Sequence, residues 1–228
     1  METFSTNIVS HVLITYLCTV MEEKKLHIIQ NVGKLYLKFG IRSVTMDDVA
    51  QEFGISKKTL YRYFRDKADL VEQVVDFYLE SSLMKIDSKQ DENAIEFYFA
   101  LRTQISKILK YFNNNIEFDL KKQYPQLFQR VHKIKRKKIF SSTVKNINKG
   151  IETGLYREGL DVELIAKLQV GRMLYTLNPD NEIFTESEVS TIELFDKIIE
   201  YHMHAICTEK GIKYFQKQLN KIQNEVKK

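Results

Sequence analysis

Tryptophan is absent from these 228 residues, and proline, cysteine and glycine are scarce, at two, two and eight. So few prolines and glycines leave little material for the many tight turns of an all-β sandwich or barrel. Two cysteines, Cys18 and Cys207, cannot build a disulfide framework, so a reducing cytoplasm is the expected compartment. There is no apolar run of membrane-spanning length; residues 8–20 are largely apolar but too short. Glu2 stands where an export signal would carry positive charge, which makes an export signal the lesser reading of that stretch. The stretch "MEEKKLHIIQNVG" opens a polar, helix-like start at Met21. Met21 is the expected natural start, and residues 1–20 are read as a non-native or disordered extension. Also missing are a Gly-rich phosphate loop, strong metal-ligand spacing and a recognisable nucleophile–base pair, so an enzyme is not expected.

What is present is 43% hydrophobic residues, enough for a packed core rather than a disordered chain. The formal charge of +5 permits a nucleic-acid partner, but the distribution of charge matters more than its sum. Helical spacing recurs and strand-like alternation does not. Residues 22–39 place Leu26, Ile29, Val32, Leu35 and Phe39 at three- to four-residue steps, with Gly40 as a stop. Thr45 with Asp48 three positions on predicts an N-terminal capping box, and Val49, Ala50 and Phe53 form the inner face of that helix. Gly54 ends it, Ser56 caps a third helix reaching about Phe64, and Asp66 caps a fourth running to about residue 86. The polar run "DSKQDEN" at 87–93 predicts a loop, followed by helices near 94–112, 125–150, 162–178, 190–208 and 211–228. The fold class is all-α: a small N-terminal unit of helices and a larger helical body.

Residues 45–64 have the helix–turn–helix spacing. With Leu60 facing inward and Phe64 beside it, Lys58 and Arg62 point away from the core, flanked by Thr59 and Tyr61. Such a face presents donors to the major groove: Arg and Lys toward guanine, Thr toward a thymine methyl, Tyr toward phosphate. Lys67 follows at the start of the next helix, in reach of a DNA backbone. A solvated charged face is the bland alternative, and the in-step caps, glycine turn and buried spacing weigh against it.

The pieces "FGIRSVTMDDVAQEFGIS", "TLYRYF" and "DKADL" resemble the DNA-binding segment of the tetracycline-repressor (TetR) family of bacterial regulators over about residues 24–78. The resemblance implies a helix-turn-helix domain at 21–67 and a ligand-binding and dimerisation domain at 68–228, with helix 67–86 as connector. It implies DNA contacts from Thr45, Lys57, Lys58, Thr59, Tyr61, Arg62 and Tyr63, and a phosphate contact from Lys67. Lys58 departs from the small residue often found there. The implied function is a ligand-responsive repressor, acting as a homodimer on a near-palindromic double-stranded operator, with an unidentified small-molecule effector and no cofactor or metal. A ligand-independent regulator whose body serves protein contacts is the alternative.

Beyond the resemblance the body reads more softly. Ile192, Phe195, Ile199, His202 and Ile206, with Leu164, Leu168 and Tyr175 near Gly171, could be intramolecular core, but with the family resemblance the favoured reading is a dimer seam. Arg157 is expected to cap carbonyls of the helix before it. Phe97, Tyr98, Phe99, Tyr111 and Phe112 read as core before pocket. Residues 121–149 hold ten Lys or Arg and no acid, read as a solvated face, with Val131, Ile134, Phe140, Val144 and Ile147 marking the buried side. His202, His204 and Cys207 are close in sequence, but residues two apart on a helix diverge by about 200°, so a shared metal is not expected. The tail 211–228 has Ile212, Phe215, Leu219, Ile222 and Val226 on one face and is expected to wrap a partner or the body, with a membrane surface the lesser alternative.

Overall fold

The computed structural model describes residues 3–80, 93–109 and 115–226. Eleven α-helices lie among them: α1 (Thr3–Phe39), α2 (Met46–Glu52), α3 (Lys57–Tyr63), α4 (Lys67–Glu80), α5 (Glu96–Leu109), α6 (Asn115–Gln123), α7 (Pro125–Glu152), α8 (Val162–Gly171), α9 (Glu186–Val189), α10 (Ile192–Ile206) and α11 (Glu209–Val226). A π-helical turn, Arg172–Thr176, continues α8. No strand occurs among the described residues; Tyr156 and Cys207 form an isolated antiparallel bridge. The protein is all-α, and no helix of the described residues is long and apolar enough to cross a membrane.

The chain divides into two compact units, residues 1–81 with 113–127, and residues 82–112 with 128–228. In the first, α1 packs on α4 and α2 on α3. The buried side of α1 is Ile28, Ile29, Val32 and Tyr36; Leu26 and Phe39, expected on that side, are exposed. The difference is one of phase: the inner stripe is narrower than the apolar pattern, and both ends of the pattern rotate out of it. From α4, Leu70, Val71, Val74 and Leu79 complete this core. Each short helix starts at a local cap. Asp48 N–H donates to Thr45 Oγ1 at 3.2 Å while Thr45 N–H donates to Asp48 Oδ2 at 2.8 Å. Thr59 N–H donates to Ser56 Oγ at 3.1 Å, and Asp69 N–H to Asp66 Oδ1 at 2.8 Å. Gly54 takes φ +59° in the turn between α2 and α3, a conformation that side chains with a Cβ disfavour.

The second unit is organised around Ala94, Ile95, Phe97, Tyr98, Tyr156, Phe195, Ile199, Met203 and Phe215. Phe97 and Tyr98 are therefore core; Tyr111 and Phe112 lie outside the described residues, as do residues 81–86 of the connector and 87–92 of the polar loop. Asn93, the loop's last residue, accepts from the N–H groups of Ile95 and Glu96 and starts α5. The tail is settled on its own unit: Phe215 of α11 is buried and stacks on Phe99 at 5.6 Å between ring centroids, with Ile212 and Leu219 against the same core. On α7, Val131 and Ile147 are buried, while Arg130, Lys133, Arg136 and Lys137 are exposed.

Two expectations change here. Arg157 does not cap the helix before it. Its N–H donates to Ile206 O at 2.9 Å and its guanidinium to Ala205 O, closing the C-terminus of α10, where a cation meets the negative end of the helix dipole. The second change concerns α10. Phe195, Ile199, His202 and Ile206 are buried in this unit's own core, so that row is intramolecular packing.

Candidate nucleic-acid interface

The interface is assembled from α2, the glycine turn and α3. Leu60 is 0% exposed and Phe64 1%, which fixes the rotation of α3 about its axis. The opposite side then carries Lys58, Tyr61 and Arg62, all exposed, with Tyr61 at 49%. These three form the outward face that the sequence predicts.

The other expected contacts are drawn into supporting bonds. Lys57 Nζ lies 2.5 Å from Asp47 Oδ1, an exposed pair joining the first turns of α3 and α2. Thr59 Oγ1 is 2.9 Å from Ser56 Oγ and so belongs to the α3 cap. Tyr63 is half-buried, its ring tilted against Phe64 with centroids 6.3 Å apart. Thr45 is exposed but occupied: its hydroxyl donates to Asp48 Oδ2 at 2.7 Å. The backbone and side-chain bonds from Thr45 hold the Asp48 carboxyl below the usual carboxylate range.

Lys67 is half-buried. Nζ donates to the carbonyl of Arg42 at 3.2 Å. Partial burial pulls its pKa below the ordinary lysine value, and the negative charges of Asp119 and Asp48 oppose that pull. Lys67 thus sits at the first turn of α4, bonded to one carbonyl and attracted by two carboxylates without an ion pair to either being formed. Asp119 comes from α6, is 5% exposed, and also accepts the N–H of Arg42 at 2.8 Å. The peptide groups of Arg42 are therefore held on both sides, N–H by Asp119 and C=O by Lys67.

Arg42 and Asp119 were not among the residues expected from sequence. No spacing signal could find Asp119, because its partner lies 77 positions away and α6 is too short to show a period. As for metals, His202 and Cys207 are buried, and no group of three metal-ligating side chains occurs among the described residues.

What the arrangement offers is a rigid platform with outward donors. Two short capped helices cross with their apolar sides together, and the face of the second displays two cations and a phenol with no acid between them. Residues 34–74 match the family model of the bacterial regulatory proteins, tetR family. The HTH-type transcriptional regulator YerO of Bacillus subtilis is 32% identical over 74 residues, covering 32% of this chain and 26% of YerO. YhgD, another HTH-type transcriptional regulator of Bacillus subtilis, is 27% identical over 155 residues, covering 64% of this chain and 78% of YhgD. The crystal structure of a transcriptional regulator from Cytophaga hutchinsonii superposes with a TM-score of 0.63 at 21% identity, over 81% of this chain and 99% of that one, a likeness of fold. The helix-turn-helix geometry and the matched segment coincide, so residues 34–74 carry a DNA-binding helix-turn-helix of the kind found in the tetR family of bacterial regulatory proteins.

Proposed function

We propose that this regulator is a homodimeric, ligand-responsive repressor of the cytoplasm that binds a near-palindromic operator through α3 of each subunit. The observation that carries the DNA reading is the outward trio Lys58, Tyr61 and Arg62 opposite a fully buried Leu60. Lys58 and Arg62 are the base-reading residues and Tyr61 reaches a phosphate. Lys57, Thr59 and Tyr63 hold the platform, and Thr45 and Lys67 meet the backbone at the start of α2 and α4.

Support for a dimer comes from α8. Leu164, Leu168 and Tyr175 are exposed on one side, Leu168 at 63%, and Gly171 between them has open space where a Cβ would be. An apolar row of this kind pairs with its own copy about a twofold axis. On α10 the buried row is unavailable, so its contribution is the outer side with Tyr201, 76% exposed. Two-fold pairing sets the recognition helices about one DNA turn apart, ~34 Å. A small-molecule effector acts by preferring the subunit arrangement that does not fit the operator.

Selection of bound sequences from a random duplex pool at fixed salt tests the reading. A near-palindrome is the expected product, with Lys58→Ala and Tyr61→Ala each weakening its binding in a mobility-shift assay while the chain stays folded. Recovery of no preferred sequence, or undiminished binding by both variants, rejects the assigned face.

A further inference from the structure

The second unit holds an arginine with a buried nitrogen that has no hydrogen-bond partner among the described residues. Arg172 opens the π-helical turn that continues α8. Such turns disturb the regular helix ladder and occur frequently at functional sites. Arg172 is half-buried: its Nε is shut off from solvent and has no hydrogen-bond partner among the described residues. One terminal nitrogen donates to Oε1 of Gln169, itself a buried residue. The titratable groups coupled to its charge are the buried Tyr98 and His202 and the exposed Tyr201, none of them a carboxylate. Arg102, by contrast, is matched in the same unit by both oxygens of Asp196, at 2.7 and 2.8 Å.

The neighbours of Arg172 add dipoles but no negative charge. The Tyr98 hydroxyl and His202 Nε2 lie 3.0 Å apart, and both residues are buried. Burial, helped by the positive charge of Arg172, lowers the His202 pKa to about 4, so the imidazole is neutral near pH 7. Burial raises the Tyr98 pKa, so the phenol keeps its proton. Phe97, Phe195 and Met203 supply an apolar setting for this pair.

A half-buried guanidinium whose Nε is shut off from water and left without a partner is a poor way to stabilise a fold; an apolar side chain of similar volume does that better. Its planar fork matches a carboxylate with two parallel N–H bonds, and an unused Nε is one tine of that fork. A single cation beside a neutral Tyr–His pair balances one negative charge, not the two of a phosphate monoester. We infer that Arg172 anchors the carboxylate of a small monocarboxylic acid with an apolar body, bound in the second unit beside Tyr98 and His202. That such an acid is the effector rests on the ligand-responsive reading above; that it binds at Arg172 does not.

The test uses the full chain labelled with nitrogen-15. The Arg172 Nε–H resonance is assigned by its disappearance in Arg172→Met, and benzoate and octanoate are titrated against benzamide and octanamide. Expected is a downfield move of that resonance and a rise of several degrees in Tm with at least one acid, and neither with its amide. Arg172→Met loses the rise and, without any acid, melts no lower than the wild type. Neither acid moving the resonance, or Arg172→Met retaining the rise, overturns the anchor. So does a drop of several degrees in Arg172→Met alone, which makes the arginine a structural group. Operator binding measured without acids keeps the two readings apart: a chain that binds operator but no acid fails only the anchor. A chain that binds acid at Arg172 but no operator keeps the anchor and loses the regulatory reading.

Discussion

Asp119 of α6 accepts the backbone N–H of Arg42 at 2.8 Å, across 77 positions of sequence. Because Lys67 donates to the carbonyl of the same residue, the turn that leads into α2 is held by a carboxylate on one side and an ammonium on the other. A buried carboxylate in that position is tolerated because it has both a donor and a nearby cation.

Replacing Asp119 by alanine leaves the Arg42 N–H and the Lys67 charge without their shared partner. The expected loss is about 1–3 kcal/mol of unfolding free energy, read from urea denaturation. Asp119→Asn keeps an acceptor for the N–H and loses less. Equal losses in the two variants would show that the charge toward Lys67, and not the hydrogen bond, carries the effect.

Thr45 both starts α2 and lies in the proposed DNA-contacting set. Thr45→Ala removes the reciprocal bonds with Asp48 and is expected to cost about 1 kcal/mol, or ~2–4 °C in Tm for a chain of this size. Thr45→Ser retains the cap and most of the stability. A scanning-calorimetry comparison of the three proteins decides it.

His202 makes stability depend on pH. Its folded pKa of about 4 lies below the ordinary 6.5, first because it is buried and second because Arg172 is near. Between those values the unfolded chain binds more protons than the folded one. Stability is therefore fully present above pH 6.5 and falls as pH drops toward 4, by up to about 3 kcal/mol. His202→Gln, which keeps a partner for Tyr98, flattens the slope of unfolding free energy between pH 5 and 6.5. An unchanged slope in the variant removes His202 as the cause.

Gly150 reverses the usual sign of a helix substitution. Alanine in place of glycine within a helix normally stabilises by ~1 kcal/mol. Here a Cβ would stand 2.0 Å from Cδ2 of Tyr156, a ring buried on all sides. The ring has little room to yield, because its hydroxyl donates to Ala94 O and Asn146 Oδ1, each at 3.1 Å. Gly150→Ala is expected to destabilise by about 1–3 kcal/mol, measured by thermal unfolding, from overpacking.

The DNA-binding unit was the most legible part because its determinants are local. Thr45, Ser56 and Asp66 each bond to a group three residues ahead. Gly54 takes the one backbone conformation its turn requires. Lys58 and Arg62 lie opposite Leu60 by helix geometry alone. The body was less legible. The row Phe195, Ile199, His202 and Ile206 was visible as an apolar face, yet periodicity says that a face is buried and not against what. The same spacing in Leu164, Leu168 and Tyr175 belongs to an exposed surface.

By itself, then, the sequence determined the all-α class, the two capped helices and the outward face of the second, since bonds within a single turn set all of these. Only the tertiary structure decided that Asp119 secures Arg42, that Arg157 closes α10, that α11 lies on its own unit, and that Arg172 is set beside Tyr98 and His202 with its Nε unpartnered among the described residues. Each of these joins groups far apart along the chain, and which distant groups meet is settled by how whole helices pack, which no local pattern encodes.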